Sequence, residues 1–178
     1  CVKVCGLTNA ADARNAVGAG AHYAGVIFAP ESPRVVSPAA AGPIVAAARE
    51  QGADVVGVFC NAPEGVVAAA VRDLDLAAVQ LHGNEDQGYI ARLRAEIPDA
   101  AEIWAACAVG DAAPPPAASG ILAGGLNPLN AGEASRVGAF ALDVNSGVER
   151  APGAKDPEKL TALFDALRLP SRGERNLC

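Results

Sequence analysis

The sequence predicts an α/β fold built on a parallel sheet, on three observations. Short apolar runs of strand length recur along the 178 residues, continuous and not alternating, as strands covered on both faces require. Each run ends in glycine or a polar residue and is usually followed by a helical pattern. Proline marks helix starts at Ser37-Pro38, Ala62-Pro63, Asn127-Pro128 and Asp156-Pro157, three of these pairs also supplying a side-chain oxygen at the cap.

The strand candidates are Val2–Cys5, Gly25–Phe28, Val55–Phe59, Ala77–Leu81, Ile103–Ala108, Ile121–Ala123 and Phe140–Asp143. Glu64–Leu74, Glu85–Ile97 and Glu158–Leu167 carry apolar residues on one helical face, with acids early and arginine late where the segment allows. An open doubly wound sheet and a closed barrel both satisfy this alternation. The first strand lacks a G-x-G-x-x-G sequence after it, and no Walker loop occurs. Glycine and polar residues instead cluster at the C-terminal ends of the strands, where a (β/α)8 TIM barrel builds its site.

Seven strands cannot close an eight-stranded barrel. The gap falls at Val109–Gly120 (VGDAAPPPAASG), whose three consecutive prolines exclude interior helix and central strand. The expectation is a barrel whose sixth βα unit is missing from these residues, with a break near Ala118–Ser119. Omission of a unit that the intact protein carries is preferred to genuine loss, since loss exposes strand edges. Residues 1–168 are expected to form the single barrel domain and 169–178 a polar tail.

Composition narrows the function classes. A net charge of −6, from 20 acids and 14 bases, argues against a nucleic-acid surface. No apolar run approaches the ~20 residues that span a bilayer, and no charged-then-apolar leader opens the chain. Five cysteines without a CxxC pair argue against a disulfide framework or a zinc site, and for a reducing cytoplasm. Cys60 and Cys107 read as packing residues, and His22 as structural.

The candidate site residues lie at strand ends. Cys5, in Lys3-Val4-Cys5-Gly6-Leu7-Thr8, is either a small buried packing residue or a thiol at the barrel mouth usable as a base, with a helix cap at Thr8 or Asn9. Arg34, in a βα loop after Pro30 and Pro33, suits a carboxylate or phosphate, or is a solvated surface arginine. His82, beside Gly83, is a ligand contact, a proton carrier or a capping residue. Gly124 and Gly125 in one late loop, and Asn145, Ser146 and Gly147 in the next, form a candidate phosphate cradle. Asp143 either orients a substrate hydroxyl or caps the loop that follows it.

In order along the chain, KVCGLTN, IFAPESPRVV, VGVFCN, AVQLHGNE, ILAGGLNP and LDVNSGVE resemble phosphoribosylanthranilate isomerase of tryptophan biosynthesis, from Val2 to about Arg168. The resemblance is strongest to the form fused behind indole-glycerol-phosphate synthase, which makes that enzyme a possible fused or associated partner. It implies an Amadori rearrangement, the third step from chorismate, in which N-(5-phosphoribosyl)anthranilate becomes 1-(2-carboxyphenylamino)-1-deoxyribulose 5-phosphate. The substrate is a small phosphorylated aminosugar, and the reaction needs no metal and no organic cofactor. By resemblance Cys5 is the general base, Arg34 engages the anthranilate carboxylate, and the Gly125 and Ser146 loops hold phosphate, with Asp143 and His82 in support. The family's general-acid aspartate ends the sixth strand, so no acid is assigned; Asp111, nearby in sequence, is not promoted to that role. Two alternatives remain. A dual-substrate relative of the histidine pathway pairs two aspartates, against which Cys5 argues. A non-catalytic phosphosugar-binding barrel requires the sixth unit to be truly absent.

Overall fold

The computed structural model describes residues 1–105 and 120–168. Seven parallel strands form one sheet: β1 (Val2–Val4), β2 (Tyr23–Ile27), β3 (Asp54–Phe59), β4 (Ala78–Leu81), β5 (Glu102–Ala105), β6 (Ile121–Ala123) and β7 (Ala141–Val144). Their spatial order is β5-β4-β3-β2-β1-β7-β6. Every neighbouring pair is parallel, and Val2, Lys3 and Val4 pair with Leu142, Asp143 and Val144. The pairing of β1 with β7 joins the start of the chain to its end, as barrel closure does.

The sheet is a half-barrel, and its two edges are β5 and β6. The seven strands match the number read from the sequence, and the eighth strand of the expected barrel is not among the described residues. The expected break near Ala118–Ser119 lies outside the described residues, as do Cys107, Asp111 and the tail 169–178.

Helices follow the strands as α1 (Ala10–Ala19), α2 (Pro38–Arg49), α3 (Glu64–Leu74), α4 (Gln87–Glu96), α5 (Ala131–Ala134) and α6 (Pro157–Arg168). Their starts have chemical causes. Asn9, Ser37 and Asp86 accept from the N–H groups of Asp12, Ala40 and Tyr89, satisfying donors that the first turn leaves open. At α3 Pro63 occupies the cap position and supplies no side-chain bond. Asn127-Pro128 does not begin a helix. Asn127 instead accepts from the Leu129 N–H and donates to the Gly125 carbonyl, folding a turn, and α5 starts three residues after Pro128. A short antiparallel pair, β8 (Glu149–Ala151) and β9 (Ala154–Lys155), follows β7 and had no counterpart in the strand reading.

Alternate residues of each strand serve two cores. Val4, Val26, Val55, Val79 and Leu142 face the helices and pack in the large outer core. Cys5, Ile27 and Val58 cluster separately inside the sheet's curve. The interior also holds buried polar groups, Lys3, Gln80 and Asp143. Tyr23, Trp104 and Phe140 meet across it, with Tyr23–Trp104 and Trp104–Phe140 centroids 5.1 and 6.0 Å apart in edge geometry. Residues of β2, β5 and the approach to β7 thus touch although their strands are not neighbours. The sheet is curled.

Cys5 and Cys60 are free thiols, and Cys60 is half-buried. Cys1 is disulfide-bonded. His22 is structural: its Nδ1 accepts the Val2 N–H at 3.2 Å, fixing the base of β1 against β2.

Candidate active site

Lys3 was not singled out from the sequence, yet it anchors the site. It lies on β1 pointing inside the curl, fully buried. Its ammonium donates to Gln80 Oε1 on β4 at 2.6 Å, to Asp143 Oδ2 on β7 at 2.9 Å, and to Cys5 Sγ at 3.1 Å. A lysine has three N–H donors, and all three are engaged. The signal that could have revealed it is a cation inside a three-residue strand otherwise made of valine.

Cys5 is buried immediately after β1, and its N–H donates to the Val144 carbonyl at 2.8 Å. Burial pushes its thiol up from the ordinary value, because a thiolate loses solvation there. Lys3 opposes that shift and Asp143 reinforces it. Burial alone would lower the Lys3 ammonium, but Cys5 and Asp143 beside it outweigh that and raise it. Asp143 is thus an ion-paired interior residue whose Oδ2 is taken. Its buried Oδ1 has no hydrogen-bond partner among the described residues. The structure does not show it capping the following loop.

Arg34 lies between β2 and α2 and is half-buried. Its Nε and one terminal nitrogen donate to the two carboxylate oxygens of Glu149 at 2.8 and 2.6 Å. One edge of the guanidinium fork is therefore engaged by Glu149 of β8. Glu149 also accepts from Lys155 Nζ at 2.8 Å and the Gly153 N–H at 3.2 Å. Lys155 further donates to the Asn145 carbonyl and Oδ1. Glu149 and Lys155 were missed from sequence because their partners meet only through the β8–β9 turn.

Gly6 has φ +69°, and a Cβ there would come within 2.6 Å of both Arg34 Cδ and Asn145 Oδ1. Only glycine lets the chain turn this tightly between those side chains. A Cβ on Gly147 would overlap the Leu126 carbonyl oxygen, so the loop holding Ser146 lies directly against the loop holding Gly124 and Gly125. Ser146, Gly124 and Gly125 are exposed. The structure thus groups Cys5 with Asp143, Arg34 with Asn145, and the two glycine-bearing loops with each other. His82 is exposed at the end of β4 and shares no described contact with the others. Among the described residues no group of three or more His, Cys, Asp or Glu could hold a metal ion, and no helix is long and apolar enough to cross a membrane.

This arrangement can hold an anion at two adjoining loops, a carboxylate near a guanidinium, and a proton on a buried sulfur. Known proteins share its sequence and its shape. The pattern of the family described as N-(5'-phosphoribosyl)anthranilate (PRA) isomerase matches residues 2–118 and, in a second segment, 109–166. The tryptophan biosynthesis protein TrpCF of Yersinia pestis is 42% identical over 197 residues, covering 94% of this chain and 41% of that protein. The chain thus spans about two fifths of the length of such fused relatives. The N-(5'-phosphoribosyl)anthranilate isomerase of Paracoccus denitrificans is 34% identical over 210 residues, covering 95% of this chain and 97% of that one. Among solved structures, the phosphoribosyl anthranilate isomerase of Thermus thermophilus superposes with a TM-score of 0.80 at 32% identity, covering 93% and 97% of the two chains. A phosphoribosyl anthranilate isomerase in complex with reduced 1-(o-carboxyphenylamino)-1-deoxyribulose 5-phosphate gives a TM-score of 0.83 at 29% identity, covering 94% and 97%. On this similarity in sequence and fold, the chain belongs to the N-(5'-phosphoribosyl)anthranilate isomerase family.

Proposed function

We propose that the chain is an isomerase acting on N-(5-phosphoribosyl)anthranilate in tryptophan synthesis, with residues 1–168 as one domain related to the (β/α)8 barrel. The observation that carries this reading is a buried thiol after β1 in contact with a lysine ammonium, in a chain matched to isomerases over nearly its whole length. In this reading the phosphate sits at the Gly124-Gly125 and Asn145-Ser146-Gly147 loops, which meet at Gly147. The open side of Arg34 faces the anthranilate carboxylate, and Glu149 keeps the guanidinium from turning away. His82 is a rim contact. Once the sugar ring opens to a Schiff base, its cationic nitrogen acidifies the C2′ proton. The Cys5 thiolate takes that proton, forming an S–H bond and leaving the electron pair on the substrate. The enolamine then becomes the ketone. A place in the cytoplasm, and a fusion or association with indole-glycerol-phosphate synthase, fit the relatives' composite architecture.

Ring opening wants a general acid, which the resemblance assigns to the sixth unit. General acids contribute typically ~10²–10⁴-fold, so turnover is expected to be lower than in eight-unit relatives by about that factor. A second reading follows from the two sheet edges at β5 and β6: a barrel that binds the phosphosugar without converting it. The alignment to the Paracoccus isomerase runs over 210 residues against 178 in this chain, consistent with internal loss. The test measures aminoaldose consumption and binding of the reduced product analogue, for the chain and for Cys5→Ala. Slow turnover abolished by Cys5→Ala supports the isomerase. Binding without turnover favours the second reading, and neither binding nor turnover sinks both.

A further inference from the structure

We propose that Lys3 is a positioning residue that stabilises the Cys5 thiolate when it forms, and that Asp143 is the counter-ion limiting how far it does so. Geometry carries the inference. The Lys3 ammonium is fixed by three acceptors on three separate stretches of chain, Gln80, Asp143 and Cys5, and has no exposure to water. A cation so tethered cannot swing away when the thiol ionises. It stands 3.1 Å from the sulfur in an interior where charges interact more strongly than in water.

The remaining surroundings of Cys5 leave Lys3 as its hydrogen-bonding cation. Ile27 of β2 and Val58 of β3 are apolar walls. Lys155 of β9 and Arg34 of the β2–α2 loop act on the sulfur electrostatically, but both already serve Glu149. Asp143 shares the same ammonium through Oδ2, so its negative charge offsets part of what Lys3 offers the sulfur. The other oxygen of Asp143, buried and without a partner among the described residues, leaves that carboxylate only half satisfied. The upward displacement of the thiol by burial agrees with a sulfur that needs this cation in order to ionise.

Two substitutions acting in opposite directions separate this role from a merely structural one. The readout is the ultraviolet absorbance of the thiolate against pH, taken as the difference between each protein and the same protein carrying Cys5→Ala. Lys3→Gln keeps a polar side chain and removes the charge. Its midpoint is expected to rise by about one pH unit or more, a tenfold loss of thiolate at any pH below the midpoint. Asp143→Asn, equal in size, is expected to lower the midpoint because the Lys3 charge is no longer shared. Midpoints that stay put, or that move in the same direction, overturn the proposal. If circular dichroism shows Lys3→Gln unfolded, Asp143→Asn decides alone: a fall supports the proposal, and a rise or no change overturns it. The inference draws its catalytic meaning from Cys5 as the base, but the titration uses no substrate. Absence of turnover and absence of a midpoint shift are therefore separate failures.

Discussion

Replacing Glu149 with glutamine tests the electrostatics of the mouth most directly. The carboxylate is 4% exposed and accepts from Arg34, Lys155 and the Gly153 N–H. Burial alone would raise its pKa. The hydrogen bonds from Arg34 and Lys155 outweigh burial and hold it at about 2, against an ordinary 4.5. At about 1.4 kcal/mol for each pKa unit, that difference stabilises the folded chain by roughly 3 kcal/mol at neutral pH. A carboxylate with a depressed folded pKa contributes this stability above pH 4.5 and loses it as the pH falls through about 2. Glu149→Gln cannot ionise and leaves the buried Lys155 without its carboxylate, a loss of about 3–5 kcal/mol for a broken buried pair. Urea unfolding of both proteins, from neutral pH to about pH 2, should show a gap of several kcal/mol that closes only on the acid side. A gap that stays constant across the range would refute the assignment of this stability to the Glu149 charge.

Three further outcomes follow from the geometry. Gly147→Ala should cost about 1–3 kcal/mol in urea unfolding, because the Leu126 carbonyl it meets is backbone and cannot move aside cheaply; unchanged stability would remove the contact between the two glycine loops. Leu93→Ala should cost about 2–5 kcal/mol, since Leu93 is fully buried and is the one buried residue of α4. A cost below about 1 kcal/mol would show that Tyr89 and Ile90 hold that helix instead. Arg34→Ala should weaken binding of the reduced product analogue by about 10–100-fold, as loss of a charged hydrogen bond of ~1.5–3 kcal/mol implies. Calorimetry showing equal affinity would place the analogue's carboxylate elsewhere.

The strands were legible because burial on both faces demands continuous apolar runs, and Val55–Phe59 or Ala77–Leu81 have no other reading. The start of α2 was legible because Ser37 and Pro38 act within one turn of the residues they cap. Asn127-Pro128 carries the same local chemistry, but the asparagine spends its side chain on the turn itself, which single-residue preference does not reveal. The core of the site was harder still. Lys3 finds Gln80 and Asp143 77 and 140 positions away, and Arg34 finds Glu149 115 away. Such pairings depend on how the sheet curls, which no local pattern encodes. The Arg34–Glu149 and Lys3–Asp143 pairs could not be read from the sequence for that reason. The gap at Val109–Gly120 was legible from the prolines and the short interval alone.

The aromatic trio has a practical consequence. Trp104 is the chain's one tryptophan, and it lies on the edge strand β5 against Tyr23 and Phe140. Its indole N–H donates to Glu102, so its surroundings are defined on both the ring and the nitrogen. Intrinsic fluorescence of this protein therefore reports from a single place, the aromatic seam that joins β5 to β2 and the approach to β7. Emission excited in the indole band watches that seam part, while circular dichroism follows the helices. Where the two signals diverge along a denaturant series, the seam opens before the rest of the fold gives way.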